Sequence, residues 1–220
     1  MASIIPEPLK HLLSGQYLAG VAAAEAKYRF NAGDEDALTG ALGAEIVTPH
    51  PMILRDGTHT YRWETTYYKL RGRGSAAPEK LFGADGIFQI EVYDGKTVRR
   101  KGLPFQAKHR WRHKDRKLVE QCRNMLVWTA SGIAIDYTDK GYGACRATDV
   151  IECEGIKVAL RKKGKLESLG QILANDFLDC DIGTPDLFYD LTTERFTTLP
   201  DIQADIQNVV QTTIAIDPAD

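Results

Sequence analysis

No run of apolar residues in this 220-residue chain approaches the ~20 needed to cross a bilayer, which argues against a membrane-spanning helix. The opening residues, MASIIPEPLKHLL, lack the basic start and cleavage site of a secretory signal, so a cytoplasmic location is expected. Cysteine is scarce. Cys122, Cys145, Cys153 and Cys180 form no Cys-x-x-Cys pair and no zinc-finger spacing, and they read as reduced thiols. There is no phosphate-cradling Walker A loop, internal repeat, low-complexity tract or long linker. What remains is a globular chain long enough for one well-buried domain with an appendage.

The formal charge of −2 hides an asymmetry. Residues 58–148 carry eighteen basic and nine acidic side chains, against four and seven in residues 1–57 and six and fourteen in residues 149–220. A central block of net charge +9 is a plausible electrostatic footprint for a phosphate backbone.

Apolar spacing predicts a first helix over residues 8–29 and a second from Asp34, whose carboxylate suits an N-cap, with Leu38, Leu42 and Ile46 as its buried stripe. β-forming residues dominate 58–71, and two further strands flank the turn Tyr93-Asp94-Gly95-Lys96. A basic helix is expected over residues 109–128, then a strand at 132–137 and another strand or edge segment at 145–153. The order from residue 34 to 137 is helix, strand, strand, strand, helix, strand, which predicts an α/β fold with a mixed sheet flanked by helices. Residues 1–150 are expected to form this core. Residues 151–220 are expected to form an acidic α+β extension that packs on it or makes an oligomer or partner contact, ending in an amphipathic piece at 199–211.

Within GADGIFQIEVYDGKTVRRKGLPFQAK, Gln106 and Lys108 share one strand face while Phe105 and Ala107 point to the other. Hydrolysis of a phosphodiester needs an activated water, charge relief at the phosphate and help for the leaving oxygen. A divalent metal on carboxylates with a nearby lysine meets all three needs. Asp85 is the candidate central ligand, the carbonyl of Ala107 a second and Gln106 an amide-oxygen ligand, with Lys108 positioning water. Glu35, or failing it Glu45, would complete the set from the second helix. Magnesium suits such oxygen donors, and manganese should substitute. Arg110, Arg112, Lys114 and Lys117 follow directly and are candidates for DNA-backbone contacts. His109 and His113 have helical metal-pair spacing but no third ligand. Glu91 is a weaker candidate acid, and Cys122 reads as a core cysteine.

GADG, a strand, then FQAK, after an acid-bearing helix and before a basic helix with Gln121, resemble the PD-(D/E)xK nuclease superfamily. The similarity is closest to its Mrr-like and restriction-endonuclease-like members, in which Gln often replaces Glu in the last motif. It spans about residues 30–140, and no proline precedes Asp85. The resemblance implies a restriction-endonuclease-like fold and a metal-dependent endonuclease of double-stranded DNA, acting in restriction or antiviral defence. It further implies a homo-oligomer, or a nuclease subunit beside a sensor or ATPase. The alternative is a catalytically inactive protein of the same fold that binds nucleic acid or serves assembly.

Overall fold

The computed structural model describes residues 3–70, 82–111, 113–199 and 206–218. Helices α1 (Glu7–Ala26), α2 (Tyr28–Asn31) and α3 (Glu35–Ile46) precede strands β1 (Met52–Arg55), β2 (His59–Lys69), β3 (Gly86–Tyr93) and β4 (Val98–His109). Then come α4 (Arg116–Trp128), β5 (Ile133–Thr138), β6 (Gly141–Arg146), α5 (Ala147–Glu152), α6 (Lys157–Lys162) and β7 (Glu167–Ser168). Helix α7 starts at Leu169–Gln171 and continues as a π-helical turn, Ile172–Phe177. Short strands β8 (Thr184–Pro185), β9 (Tyr189–Asp190) and β10 (Arg195–Phe196) lead to the long β11 (Asn208–Pro218).

The architecture is α/β, with a mixed sheet in the order β1-β2-β11-β3-β4-β5-β6-β7; β8 adds to β4, and β9 and β10 pair separately. The expected helix, three strands, helix and strand are present as α3, β2, β3, β4, α4 and β5, with β1 as an addition. One face of the sheet, through Phe88, Ile90, Phe105 and Ile135, packs on Leu9 and Leu13 of α1, Leu38 and Leu42 of α3, and Leu173 and Phe177 of α7. The other face, through Ile87, Ala134 and Val209, packs on Leu118, Cys122 and Met125 of α4 and Val150 of α5. Both faces are covered over the middle of the sheet, where Ile87, Phe88, Leu103, Phe105, Ile133 and Ile135 are fully or nearly fully buried. Among the described residues no helix is long and apolar enough to cross a membrane.

Three expectations need correction. Of the stretch read as an amphipathic packing piece, residues 200–205 lie outside the described residues and residues 208–211 instead open β11 (Asn208–Pro218), antiparallel to β2 and parallel to β3, in the middle of the sheet. A boundary at residue 150 therefore does not coincide with an edge of the sheet. Val209, Val210 and Ile214 are fully or nearly fully buried, and Thr212 hydrogen-bonds Tyr17 at 2.9 Å and Thr65 at 2.8 Å, so β11 joins α1 to β2 through the core. The basic helix is shorter than expected, because β4 runs to His109 and Asp115 caps α4 by accepting the Leu118 N–H at 2.9 Å. His109 and His113 thus lie outside any helix and have no helical pairing. Finally, 147–152 is a helix following β6, where the sequence reads as an edge segment.

The acidic flanks also neutralise part of the basic block. Asp217 pairs with Arg62 at 2.5 Å, Asp36 with Lys69, Glu154 with Lys114 at 2.7 Å and Asp176 with Arg146 at 3.6 Å. Ile214→Ala is expected to cost about 2–5 kcal/mol, as for a large-to-small change in a close-packed core. Urea unfolding measures this, and a change under about 0.5 kcal/mol, as at an ordinary surface site, would contradict a central β11.

Candidate functional site

β4 outruns its neighbour. The last β3–β4 pair is Gly86↔Phe105, so residues 106–109 are paired with β5 on one edge and, among the described residues, have no strand on the other. Two N–H groups on that open edge are taken by carboxylates. Ala107 donates to Asp85 Oδ2 at 2.7 Å, and His109 donates to Glu35 Oε2 at 2.6 Å. A buried strand edge must satisfy its backbone donors, and here two acids do so in place of a strand.

Each acid is held by its own element. Glu35 begins α3, where the helix dipole favours a negative charge, and Asp34 caps that helix by accepting the Asp36 N–H at 3.2 Å. Glu35's carbonyl accepts from Thr39, whose hydroxyl in turn accepts from Tyr137 at 3.2 Å. Asp85 sits just before β3 between two glycines that its geometry requires. Gly83 has φ +71° and lies against the Gln121 carbonyl of α4, and a Cβ at Gly86 would strike the Phe105 ring. The carbonyl of Asp85 accepts the backbone N–H groups of Gln207 and Asn208 at 3.1 and 3.2 Å, and Asn208 Nδ2 at 3.1 Å. Asn208 Oδ1 is bonded by Tyr67 at 2.8 Å and Lys69 at 3.3 Å, so the C-terminal strand anchors the acid.

Asp34, Glu35, Asp36, Thr39, Asp85, Ala107, Gln207 and Asn208 line one cavity of about 210 Å³. The structure therefore distinguishes the two helix acids. Glu35 lines the cavity, whereas Glu45 is ion-paired with Lys27 at 2.5 Å away from it. Gln106 is buried against Asp85, to which its Nε2 donates, and it also donates to the Ala107 carbonyl at 3.2 Å. Its Oε1 is buried with no partner. Gln106 thus presents its amide nitrogen to Asp85, not the expected amide oxygen. Lys108 is half-buried, makes no hydrogen bond or ion pair among the described residues, and lies near enough to Asp85 to favour its ionisation. Burial is nonetheless the larger effect and, reinforced by the Glu35 charge, pushes the Asp85 carboxyl up to about 6.

The expected backbone-contact residues divide. Arg110 is exposed with φ 60°, Lys117 is exposed in the first turn of α4, Lys114 is engaged by Glu154, and Arg112 lies outside the described residues. Arg116 and Lys117 face the unfavourable end of the helix dipole, a local cost that helix stability does not explain. Glu91 pairs with Arg100 at 2.5 Å and is not part of the cavity. Cys122 is buried, and its thiol is pushed up to about 12. Asn208, Thr39 and Tyr67 are site residues that sequence reading missed.

Could the site hold a hard cation? Asp85, Glu35 and the Ala107 carbonyl form an all-oxygen donor set, and magnesium binds through one or two carboxylates while keeping several waters. Among the described residues no group of three or more His, Cys, Asp and Glu forms a metal-holding cluster, so water would fill most of the coordination shell.

The Asp85 shift has a stability consequence. Its folded pKa of about 6 lies above the ordinary 3.8, so the folded state binds the proton more tightly and stability falls as pH rises from about 4 to 6. Asp85→Asn, a neutral isostere, is expected to stabilise the protein at pH 7 by about 1–3 kcal/mol, with the gain vanishing below pH 4. Melting curves across that range measure it, and a loss of stability at pH 7 would refute the shift. No known protein family, curated protein or solved structure matches this chain.

Proposed function

We propose that this protein is a divalent-metal-dependent endonuclease with a restriction-endonuclease-like core, hydrolysing phosphodiester bonds of double-stranded DNA. The observation that carries this reading is the convergence of Asp85 and Glu35, from segments fifty residues apart, on one cavity at the open edge of β4; Lys108 does not line that cavity but its charge favours ionisation of Asp85. Asp85, Glu35 and the Ala107 carbonyl would hold a magnesium or manganese ion, which relieves charge at the scissile phosphate and makes bound water more acidic.

The chain's own groups have separate tasks. Lys108, cationic and unpaired among the described residues, orients the attacking water and offsets phosphate charge. Asp85 acts as a carboxylate, so its burial sets a lower pH limit near 6. Gln106 and the Ala107 N–H fix the Asp85 carboxylate, and Asn208 fixes its backbone. Arg110 and Lys117 supply salt-sensitive contacts to the DNA backbone. A role in restriction or antiviral defence, as an oligomer or beside a sensor or ATPase subunit, is part of this proposal.

The sparse donor set favours one second reading, a nucleic-acid-binding or assembly protein of the same fold that does not turn over. Purified protein with plasmid and Mg²⁺ or Mn²⁺ separates the two. The nuclease reading expects nicking that rises from pH 5 to 7, a loss of about 10²–10⁴-fold in Lys108→Ala, and near wild-type rates in Glu45→Ala. Salt-sensitive binding without metal-dependent nicking would assign the second reading.

A further inference from the structure

Away from this cavity, the fold holds an amine and a thiol in contact. Lys101 lies on β4 and is 3% exposed. Its Nζ donates to Cys180 Sγ at 3.2 Å and to the Phe177 carbonyl, and sits 4.3 Å from the centroid of the Phe177 ring. No carboxylate pairs with it among the described residues, since Asp179 and Asp181 act on it only at a distance. A buried ammonium with neutral partners is disfavoured, and burial accordingly lowers the Lys101 pKa, enriching the neutral, nucleophilic amine.

Cys180 differs from the other three cysteines. Those are buried, with the Cys122 and Cys145 thiols pushed upward by burial, whereas Cys180 is partly exposed. It follows the π-helical end of α7 with φ 66°, a left-handed backbone uncommon for a residue other than glycine. Lys101 and Cys180 also border a cavity of about 20 Å³ with Ile4, Ile182 and Pro185, room for one molecule of water or peroxide size. A lysine that merely capped the helix end would need the Phe177 carbonyl alone. The adjoining thiol and cavity add a nucleophile, an oxidisable sulfur and space for an oxidant at one point.

We propose that Lys101 and Cys180 form a covalent, thiol-reversible crosslink when the protein meets peroxide. Hydrogen peroxide, the two-electron oxidant, converts the Cys180 thiol to a sulfenic acid and is reduced to one water. The Lys101 nitrogen lone pair then attacks sulfur, the S–O bond breaks as the S–N bond forms, and the departing hydroxide takes the amine proton as a second water. This is the condensation by which sulfenic acids form sulfenamides with backbone nitrogen, performed here by a side-chain amine. The link would tie β4, which carries Gln106 and Lys108, to the end of α7.

Peptide mass spectrometry of the full chain after hydrogen peroxide tests this. The expected product joins the Lys101 and Cys180 peptides, is lighter than their sum by two hydrogens, is released by dithiothreitol and is absent from Cys180→Ser. Lys101→Met is expected to let Cys180 proceed to sulfinic acid. If that variant does not fold, the wild-type and Cys180→Ser masses decide alone. Cys180 recovered unoxidised, or oxidised with Lys101 free, would overturn the crosslink, and a joined pair that retains oxygen would overturn the direct S–N bond.

Discussion

The unpaired edge of β4 is the constraint on which the site depends. A strand buried in the middle of a sheet cannot leave its N–H groups without acceptors, because each such group would cost about 1–3 kcal/mol. Past Phe105 no strand among the described residues pairs with that edge, and the carboxylates of Asp85 and Glu35 accept from Ala107 and His109 instead. The same bonds that complete the sheet bring two acids to one cavity. Structural need and chemical potential therefore coincide at these residues, and removing either acid exposes a backbone donor as well as altering the site.

Burial makes the arrangement costly in charge. The charges of Glu35 and Lys108 act on the Asp85 carboxyl in opposite senses, and desolvation outweighs the lysine. Such a carboxylate is poised near neutrality, the condition in which a cation or a phosphate-bound lysine can shift its ionisation most. The network from Tyr67 and Lys69 through Asn208 to the Asp85 carbonyl means that this poise depends on β11, contributed by the last residues of the chain. The site is assembled only when the two ends of the sequence have met.

Much of the site was legible because its parts are local. Gly83 and Gly86 around Asp85, the alternation at Gln106 and Lys108, and the Asp34 cap that presents Glu35 all follow from short-range rules that burial here reinforces. The orientation of the Gln106 amide was not legible. Its two ends are nearly equal in shape, and only the approach of the Asp85 carboxylate selects the nitrogen. The choice of Glu35 over Glu45 also needed the tertiary structure, since both flank the same helical stripe and only Glu35 reaches the cavity and the His109 N–H, while Glu45 pairs with Lys27. The basic block was overestimated, because the acids that neutralise Arg62, Lys69, Lys114 and Arg146 lie far along the chain.

By itself, then, the sequence determined the elements whose periodicity is strong: α1, α3, β2, the β3–β4 hairpin and the stripe of α4. It also determined the residue types gathered around Asp85. Only the tertiary structure decided that Asn208–Pro218 is an interior strand. Its mixture of Val and Ile with Asn, Gln and Thr suits an edge as well as a central strand, and nothing local states which partners will hydrogen-bond it. Pairing between segments more than a hundred residues apart is a long-range choice, settled by the apolar area that β11 buries between β2 and β3.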